Sequence, residues 1–407
     1  MSISKKIKAS LSGSSMIRKM FEEGIALKKK HGEDKVYDFS LGNPNVDHPE
    51  AFKRELIKVA DQEIKLKHGY TPNAGYPETR LAVARKISRT TGLKMTADHI
   101  VMSCGAGGAL NVILKALLDP GDEVIILTPF FVEYPFYIEN YDGVVKYVST
   151  RPDFSPDIAA IGRAITRKTK AVIINSPNNP TGKVYSQKSI KDLARLFRKK
   201  GRERKRPIYL IADEPYSEIV FDGVKVPSIL KAYSNSIIAY SYSKTLSLPG
   251  ERIGYIAVHP RIHEADDLMA ALILCTRILG FVNAPALMQR IVTHLQNVSV
   301  DVKIYQKKRD LLCGGLAAAG YEFARPEGAF YLFVKSPIPD DAAFVHRLLQ
   351  ENILVVPGRG FGCPGYFRIA FCVEDSTIVN SLEGFARAIQ DCRPKKVSRR
   401  ARLGSSA

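Results

Sequence analysis

No apolar run in these 407 residues reaches the length of a membrane span. The longest near the middle, "LMAALILC" (Leu268 to Cys275), is far too short. The opening stretch, "MSISKKIKASLSGSS", carries charge and small residues but lacks the apolar segment of a secretory signal. These absences predict a cytoplasmic protein with no membrane partner. Cysteine is sparse. Cys104, Cys275, Cys313, Cys363, Cys372 and Cys392 are spread widely and form no CxxC pair, which predicts free thiols in a reducing compartment. No HExxH pattern is present, and no metal site is expected. Acidic charge is short as well: 41 Asp and Glu stand against 60 Lys and Arg, a net charge of +19. Such an excess raises the question of nucleic acid. It is concentrated, however, in "KKK" (Lys28 to Lys30), "RKKGRERKR" (Arg198 to Arg206) and the tail "RPKKVSRRAR" (Arg393 to Arg402). No aromatic RNA-binding sheet motif accompanies these runs. They are read as solvated faces, and no nucleic-acid partner is expected.

What is present is an ordinary globular balance, 45% hydrophobic and 25% charged, in a chain long enough for a large domain and a smaller one. From about residue 100 to 260, short β-rich runs alternate with helical patterns. The runs are "EVIILT", "VVKYVS", "AVIIN", "IYLIAD", "IIAYSY" and "YIAVH". Several are apolar throughout, as expected of strands covered on both faces. This predicts an α/β fold with a mostly parallel sheet. Beyond it, longer helical patterns lead to the short strands "AFYLFV" and "YFRIAF", an α+β arrangement. The predicted division is an N-terminal arm over 1–47 packing on the small domain, a large domain over 48–285, a small domain over 286–393, and a basic, disordered tail over 394–407.

In open α/β sheets, ligands bind beyond the carboxyl ends of the strands. Four segments put polar groups there. In "SCGAGGALNVILKALL", Gly105, Ala106 and Gly107 open a helix, where backbone N–H groups and the helix dipole favour an anion. "NSPNNPTG" makes a rigid turn that fixes the amide of Asn179. In "IADEPYSEI", Asp213 ends an apolar strand and needs a partner, because an unpaired buried charge is costly; Tyr216 follows three residues later. In "SYSKTLSLPGERIGY", Ser241, Lys244 and Arg252 lie between two apolar runs. Burial lowers the pKa of a lysine amine, and a neutral amine can attack a carbonyl carbon. One phosphorylated aromatic aldehyde with a ring nitrogen, pyridoxal 5′-phosphate, would use every one of these groups.

With those motifs quoted, the chain resembles the class I/II aminotransferases of pyridoxal phosphate fold type I, from "DFSLGNP" (Asp38 to Pro44) to "FRIAF" (Phe367 to Phe371). "NNPTG", "ADEPY", "SYSKTLSLPGERIGY" and "YFRIAF" stand in the family's order. The resemblance implies transfer of an amino group from an L-amino acid to a 2-oxo acid, 2-oxoglutarate foremost, by a homodimer. It implies that Lys244 attaches the cofactor and then moves protons, that Asp213 pairs with the ring nitrogen, and that Tyr216 and Asn179 bond the ring oxygen. Ser241, Arg252 and the loop of Gly105, Ala106 and Gly107 would hold the phosphate. Phe131 would stack on the ring, and Tyr70 would reach the phosphate of the partner subunit. Arg368, helped by the backbone near Gly42, would grip the substrate α-carboxylate. Aspartate-specific relatives often carry a basic residue where Gly107 stands, so Arg359 in "VVPGRGFG" is a candidate reader of an acidic side chain, the alternative being a solvent-exposed arginine in a glycine-rich turn. A carbon–sulfur β-lyase would keep the same lysine and aspartate and is the alternative on this fold. A cofactor-sensing regulator is a weaker one, because residues 1 to 40 are too short for a DNA-binding domain and linker.

Overall fold

Strands form where the apolar runs fall, and their carboxyl ends meet along one edge. In this computed structural model, residues 3–12, 16–390 and 392 are described. The basic tail over 394–407 lies outside them. The strands are β1 Tyr37–Asp38, β2 Ile100–Ser103, β3 Glu123–Thr128, β4 Val144–Ser149, β5 Thr169–Asn175, β6 Tyr209–Asp213, β7 Ser236–Ser241, β8 Gly254–Val258, β9 Tyr331–Lys335, β10 Ile353–Leu354, β11 Val356–Pro357 and β12 Tyr366–Ala370. Seven of them make the large sheet in the order β2-β8-β7-β6-β5-β3-β4. Only β8 runs against its neighbours, β2 and β7; the other pairings are parallel. Strands β2, β6, β7 and β8 are buried at every position, because apolar clusters cover both faces of the sheet.

Register then fixes the edge. Asn175 pairs with Asp213, and Ser103 and Ser241 both pair with Gly254. The polar residues at these strand ends therefore stand side by side.

A second apolar cluster surrounds the antiparallel sheet β11-β12-β9 and the helices Val302–Ala319, Asp341–Gln350 and Asp375–Gln390. The predicted boundary at 286 falls too early. Helix Ala286–Thr293 buries Met288, Ile291 and Val292 in the cluster of the large sheet, and the smaller cluster takes over at Val300. Helical periodicity shows that a face is buried, not which partner it faces. The arm is also shared. Tyr37 of β1 pairs with Ile353 of β10, in the small domain, whereas Lys6 forms an exposed ion pair with Asp142, which precedes β4 of the large sheet. No helix among the described residues is long and apolar enough to cross a membrane.

The tightest point of this edge is Gly254. A Cβ there would stand 2.2 Å from the Tyr240 carbonyl oxygen and 3.0 Å from the Gly105 Cα. Both obstacles are backbone, so they cannot swing aside. Gly254→Ala should destabilise the fold by roughly 1–3 kcal/mol in denaturant unfolding. A loss below about 0.5 kcal/mol would show that strand and loop can part freely.

Candidate active site

One cavity of ≈ 360 Å³ opens at the carboxyl edge of the large sheet. Gly42, Ala106, Gly107, Phe131, Asn179 and Asp213 line it, and so do Tyr216, Ser241, Lys244, Arg252 and Arg368. Segments far apart in the chain are thus brought together as their strand ends require. Gly105 abuts the same place: its φ is +71°, and a Cβ on it would be 2.8 Å from the Arg252 guanidinium.

Lys244 follows the end of β7 within a single helical turn, Tyr242–Thr245, that Ser241 caps from its side chain. Its Nζ donates to the Gly42 carbonyl at 2.8 Å and lies 5.4 Å over the Phe330 ring. Burial brings its pKa down to about 8, helped by Arg252 and Arg368 and opposed by Cys372. A lysine so placed is partly neutral near physiological pH, as a nucleophile or proton carrier must be.

Asp213 ends β6 and is buried. Its Oδ2 accepts from the Tyr134 hydroxyl at 2.6 Å, while its Oδ1 is buried without a partner. Burial pushes the carboxyl up to about 7, against the lowering effect of the Tyr134 bond. A buried, half-satisfied carboxylate at the base of a cavity suits a ligand that brings its own N–H.

The anion end is built from the start of the helix Gly105–Leu117, the Ser241 hydroxyl and Arg252. Arg252 is held by the Pro249 carbonyl at 2.9 Å, and Ser241 shares a 2.7 Å bond with Ser243. On the opposite side, Arg368 of β12 bonds Asn179 Oδ1 at 3.1 Å and the Ser40 carbonyl, and lies between the rings of Tyr331 and Phe361. Its Nε is buried and unpaired, so it too is ready for an acceptor. Tyr216 shares a hydroxyl bond of 2.9 Å with Tyr331. An unpaired carboxylate oxygen, an anion cradle that a Cβ at Gly105 would close, and a lysine with lowered pKa together fit pyridoxal phosphate. Asp213 would take the ring N–H, the helix start with Ser241 and Arg252 the phosphate, and Lys244 the aldehyde carbon.

Two expected residues stand elsewhere. Tyr70 is 90% exposed and lines a separate surface hollow with Phe281 and Ala286, so it does not reach the cavity of its own chain. Arg359 is a correction. Its Nε bonds Asp341 Oδ1 at 2.8 Å, its Nη2 reaches both Asp340 and Asp341, and it does not line the cavity. Two carboxylates hold the guanidinium in place, so it is not the free side chain that a swinging reader of acidic substrates requires.

Sequence reasoning missed Tyr134, Asn175, Tyr331, Tyr137 and Glu133. Asn175 ends β5; its Nδ2 donates to the Asp213 carbonyl at 2.8 Å, and its Oδ1 accepts from the Asn179 N–H at 2.7 Å. A Cβ on Gly42 would fall 1.9 Å from the Tyr331 hydroxyl, which explains the glycine there. The strand-end rule, applied to "TPFFVEYPFY" after β3, would have flagged Glu133, Tyr134 and Tyr137.

The Asp213 carboxyl has a testable pH signature in cofactor-free protein. Its folded pKa, about 7, lies above the ordinary 3.8, so between these values the folded state binds the extra proton. Its contribution to stability is therefore full below about 3.8 and lost as pH rises through about 7. The melting temperature of the native protein relative to Asp213→Asn should fall across that window in thermal scans. A constant difference would mean that the carboxyl ionises as an ordinary surface acid does.

The family profile of aminotransferase class I and II matches residues 34–385. The aspartate/prephenate aminotransferase of Thermus thermophilus is 35% identical over 367 residues, covering 89% of this chain and 92% of its own. The asparagine–oxo-acid transaminase of Streptococcus mutans is 28% identical over 376 residues, covering 88% and 93%. Among solved structures, an amino transferase from Eubacterium rectale superposes with a TM-score of 0.93 at 40% identity, over 97% of this chain and 100% of that one. The aspartate aminotransferase of Thermus thermophilus with maleate gives 0.84 at 30% identity, over 95% and 100%. Agreement over this much of the chain, in sequence and in backbone, establishes the family: the chain belongs to the class I and II aminotransferases.

Proposed function

We propose that this transaminase holds pyridoxal 5′-phosphate in the cavity described and moves an amino group from an L-amino acid to a 2-oxo acid in two half-reactions. The observation that carries this reading is the pairing, in one cavity, of Lys244 with its lowered pKa and Asp213 with its unpaired oxygen. Bound cofactor supplies an electron sink for the charge left when the substrate α-proton departs.

The chain's own groups do the rest. Asp213 Oδ1 would accept the ring N–H and would keep that nitrogen protonated, because two opposite charges in a buried site stabilise each other. Tyr216 and Asn179 would donate to the ring oxygen and favour its anion. Lys244, whose Nζ would attach the cofactor, would also take up and move the substrate α-proton. Arg368 binds the α-carboxylate, with Nε and an Nη as its fork, and so fixes which bond at the α-carbon faces the lysine. The N–H groups at Ala106 and Gly107, with Ser241 and Arg252, bind the phosphate.

We also infer a homodimer. Tyr70 and its neighbour Leu66 are strongly exposed, beside the partly buried Phe281. Tyr70 would serve the phosphate site of the second subunit, a role that its own cavity leaves open. The acceptor is a 2-oxo acid, and 2-oxoglutarate, pyruvate and oxaloacetate are the ones to compare.

A panel of amino donors with 2-oxoglutarate, pyruvate and oxaloacetate should give equal amounts of new amino acid and new oxo acid. Release of ammonia and pyruvate would instead show a lyase. Lys244→Ala should lose the borohydride-trapped cofactor peptide and at least about a thousandfold in turnover. A trapped peptide surviving at another residue would overturn the assignment. Light scattering of the loaded protein should report a dimer, and Tyr70→Phe should raise the dissociation constant for the cofactor without splitting it. A fully active monomer would contradict the shared site.

A further inference from the structure

Each cation lining the cavity has a task. Lys244 meets the cofactor, Arg252 the phosphate and Arg368 the α-carboxylate. The acids lining it are Asp213, which faces the ring nitrogen, and Glu133. Glu133 is half-buried, and its side chain makes no hydrogen bond or ion pair with any described residue. It occupies the N-cap position of the helix Tyr134–Glu139, yet its side chain caps no backbone N–H. It follows Phe131 by two residues and precedes Tyr134, the partner of Asp213, so the chain holds it at the mouth of the reacting site.

Tyr137 lies one turn further on. Positions four apart share a helix face, and both side chains line the cavity. The Tyr137 hydroxyl stands 3.2 Å from where a Cβ on Gly107 would sit. The tyrosine therefore takes up the space of a longer side chain at that loop position, and no cation from the loop reaches the cavity. Arg359 is held by Asp340 and Asp341.

We propose that Glu133, with the Tyr137 hydroxyl, reads the far end of the substrate side chain and selects amino donors ending in an N–H group, a carboxamide or an ammonium, over donors ending in a carboxylate. The selection is rooted in charge. A distal carboxylate placed beside Glu133 meets like charge in a partly desolvated site. A carboxamide or ammonium donates a charge-assisted hydrogen bond to the same oxygens. Burial already holds the Glu133 carboxyl above its usual range, as an unpaired acid should be, and a donor in the site would relieve that. This inference rests on the transaminase reading, which assigns Lys244 and Arg252 to the cofactor and Arg368 to the α-carboxylate.

The test uses two unreactive ligands that differ only at the distal end, succinate and succinamate. Their dissociation constants are measured by calorimetry on the loaded protein at about pH 8. Succinamate should bind the native protein at least about tenfold more tightly than succinate. Glu133→Gln should shrink that ratio below about threefold, chiefly by improving succinate, and Glu133→Ala should lose the same discrimination. In kinetics, kcat/KM for asparagine over aspartate should fall at least about tenfold in Glu133→Gln, with alanine nearly unchanged. Equal binding of the two ligands by the native protein would overturn the proposal. So would equal shifts for all ligands and donors on substitution. A protein that turned over no amino donor would sink the transaminase reading, while the succinamate-to-succinate ratio would still decide the role of Glu133.

Discussion

Asp213 stands at the end of β6 with one carboxylate oxygen bonded to Tyr134 and the other buried without a partner. Leaving a charge in that position is unfavourable, and the rise in its pKa expresses the cost. Most of the site is arranged around this group. Asn175 on the adjacent strand bonds the Asp213 backbone and holds the turn that carries Asn179. Tyr134 comes from the segment after β3, which also supplies Phe131 and Glu133. Had Tyr134 and a further donor both been built in, the carboxylate would be satisfied and of no use to a ligand. Half-satisfied, it favours whatever brings a cationic N–H.

The large sheet was legible because its strands are apolar on both sides, a pattern that few other arrangements require. The chemistry-bearing residues at strand ends were legible for the converse reason. Asp213, Ser241 and Lys244 are polar where an apolar run stops. Tyr134, Tyr331 and Tyr137 gave no such contrast, since a tyrosine among apolar and aromatic residues reads as core until its hydroxyl partner is seen. Arg359 misled for a related reason. Glycines on both sides suggested freedom, while the carboxylates that hold it lie eighteen and nineteen residues earlier in the chain. The boundary at 286 failed because an amphipathic helix does not say which of two cores it joins.

The two cores meet at the cavity. Arg368 belongs to the small antiparallel sheet, Asn179 to the turn after β5, and Ser40 to the arm. The grip on an α-carboxylate proposed for Arg368 thus depends on three parts of the chain keeping their relative positions. The small sheet also brings Tyr331, whose ring lies 4.7 Å from the Arg368 guanidinium and whose hydroxyl meets Tyr216. A shift of the small core would move the carboxylate site and the Tyr216 hydroxyl together, while Lys244 and Asp213 stayed with the large sheet.

Specificity follows from what remains after these assignments. A cavity whose cations all have tasks has no positive charge left for a substrate side chain, however basic the protein as a whole. The net charge of +19 is therefore a poor guide to substrate. Much of that excess lies on outer faces such as the helix Gln187–Arg204, where Asp192 and Glu203 already neutralise part of it. In the proposed reading, what faces a bound side chain is decided locally, by Gly107 having no side chain, by Tyr137 standing in that space, and by the Glu133 side chain having no partner. Of these, only the first could be read from the motif. The other two depend on the turn after β3 starting a helix at Tyr134, so that residues four apart open on one cavity.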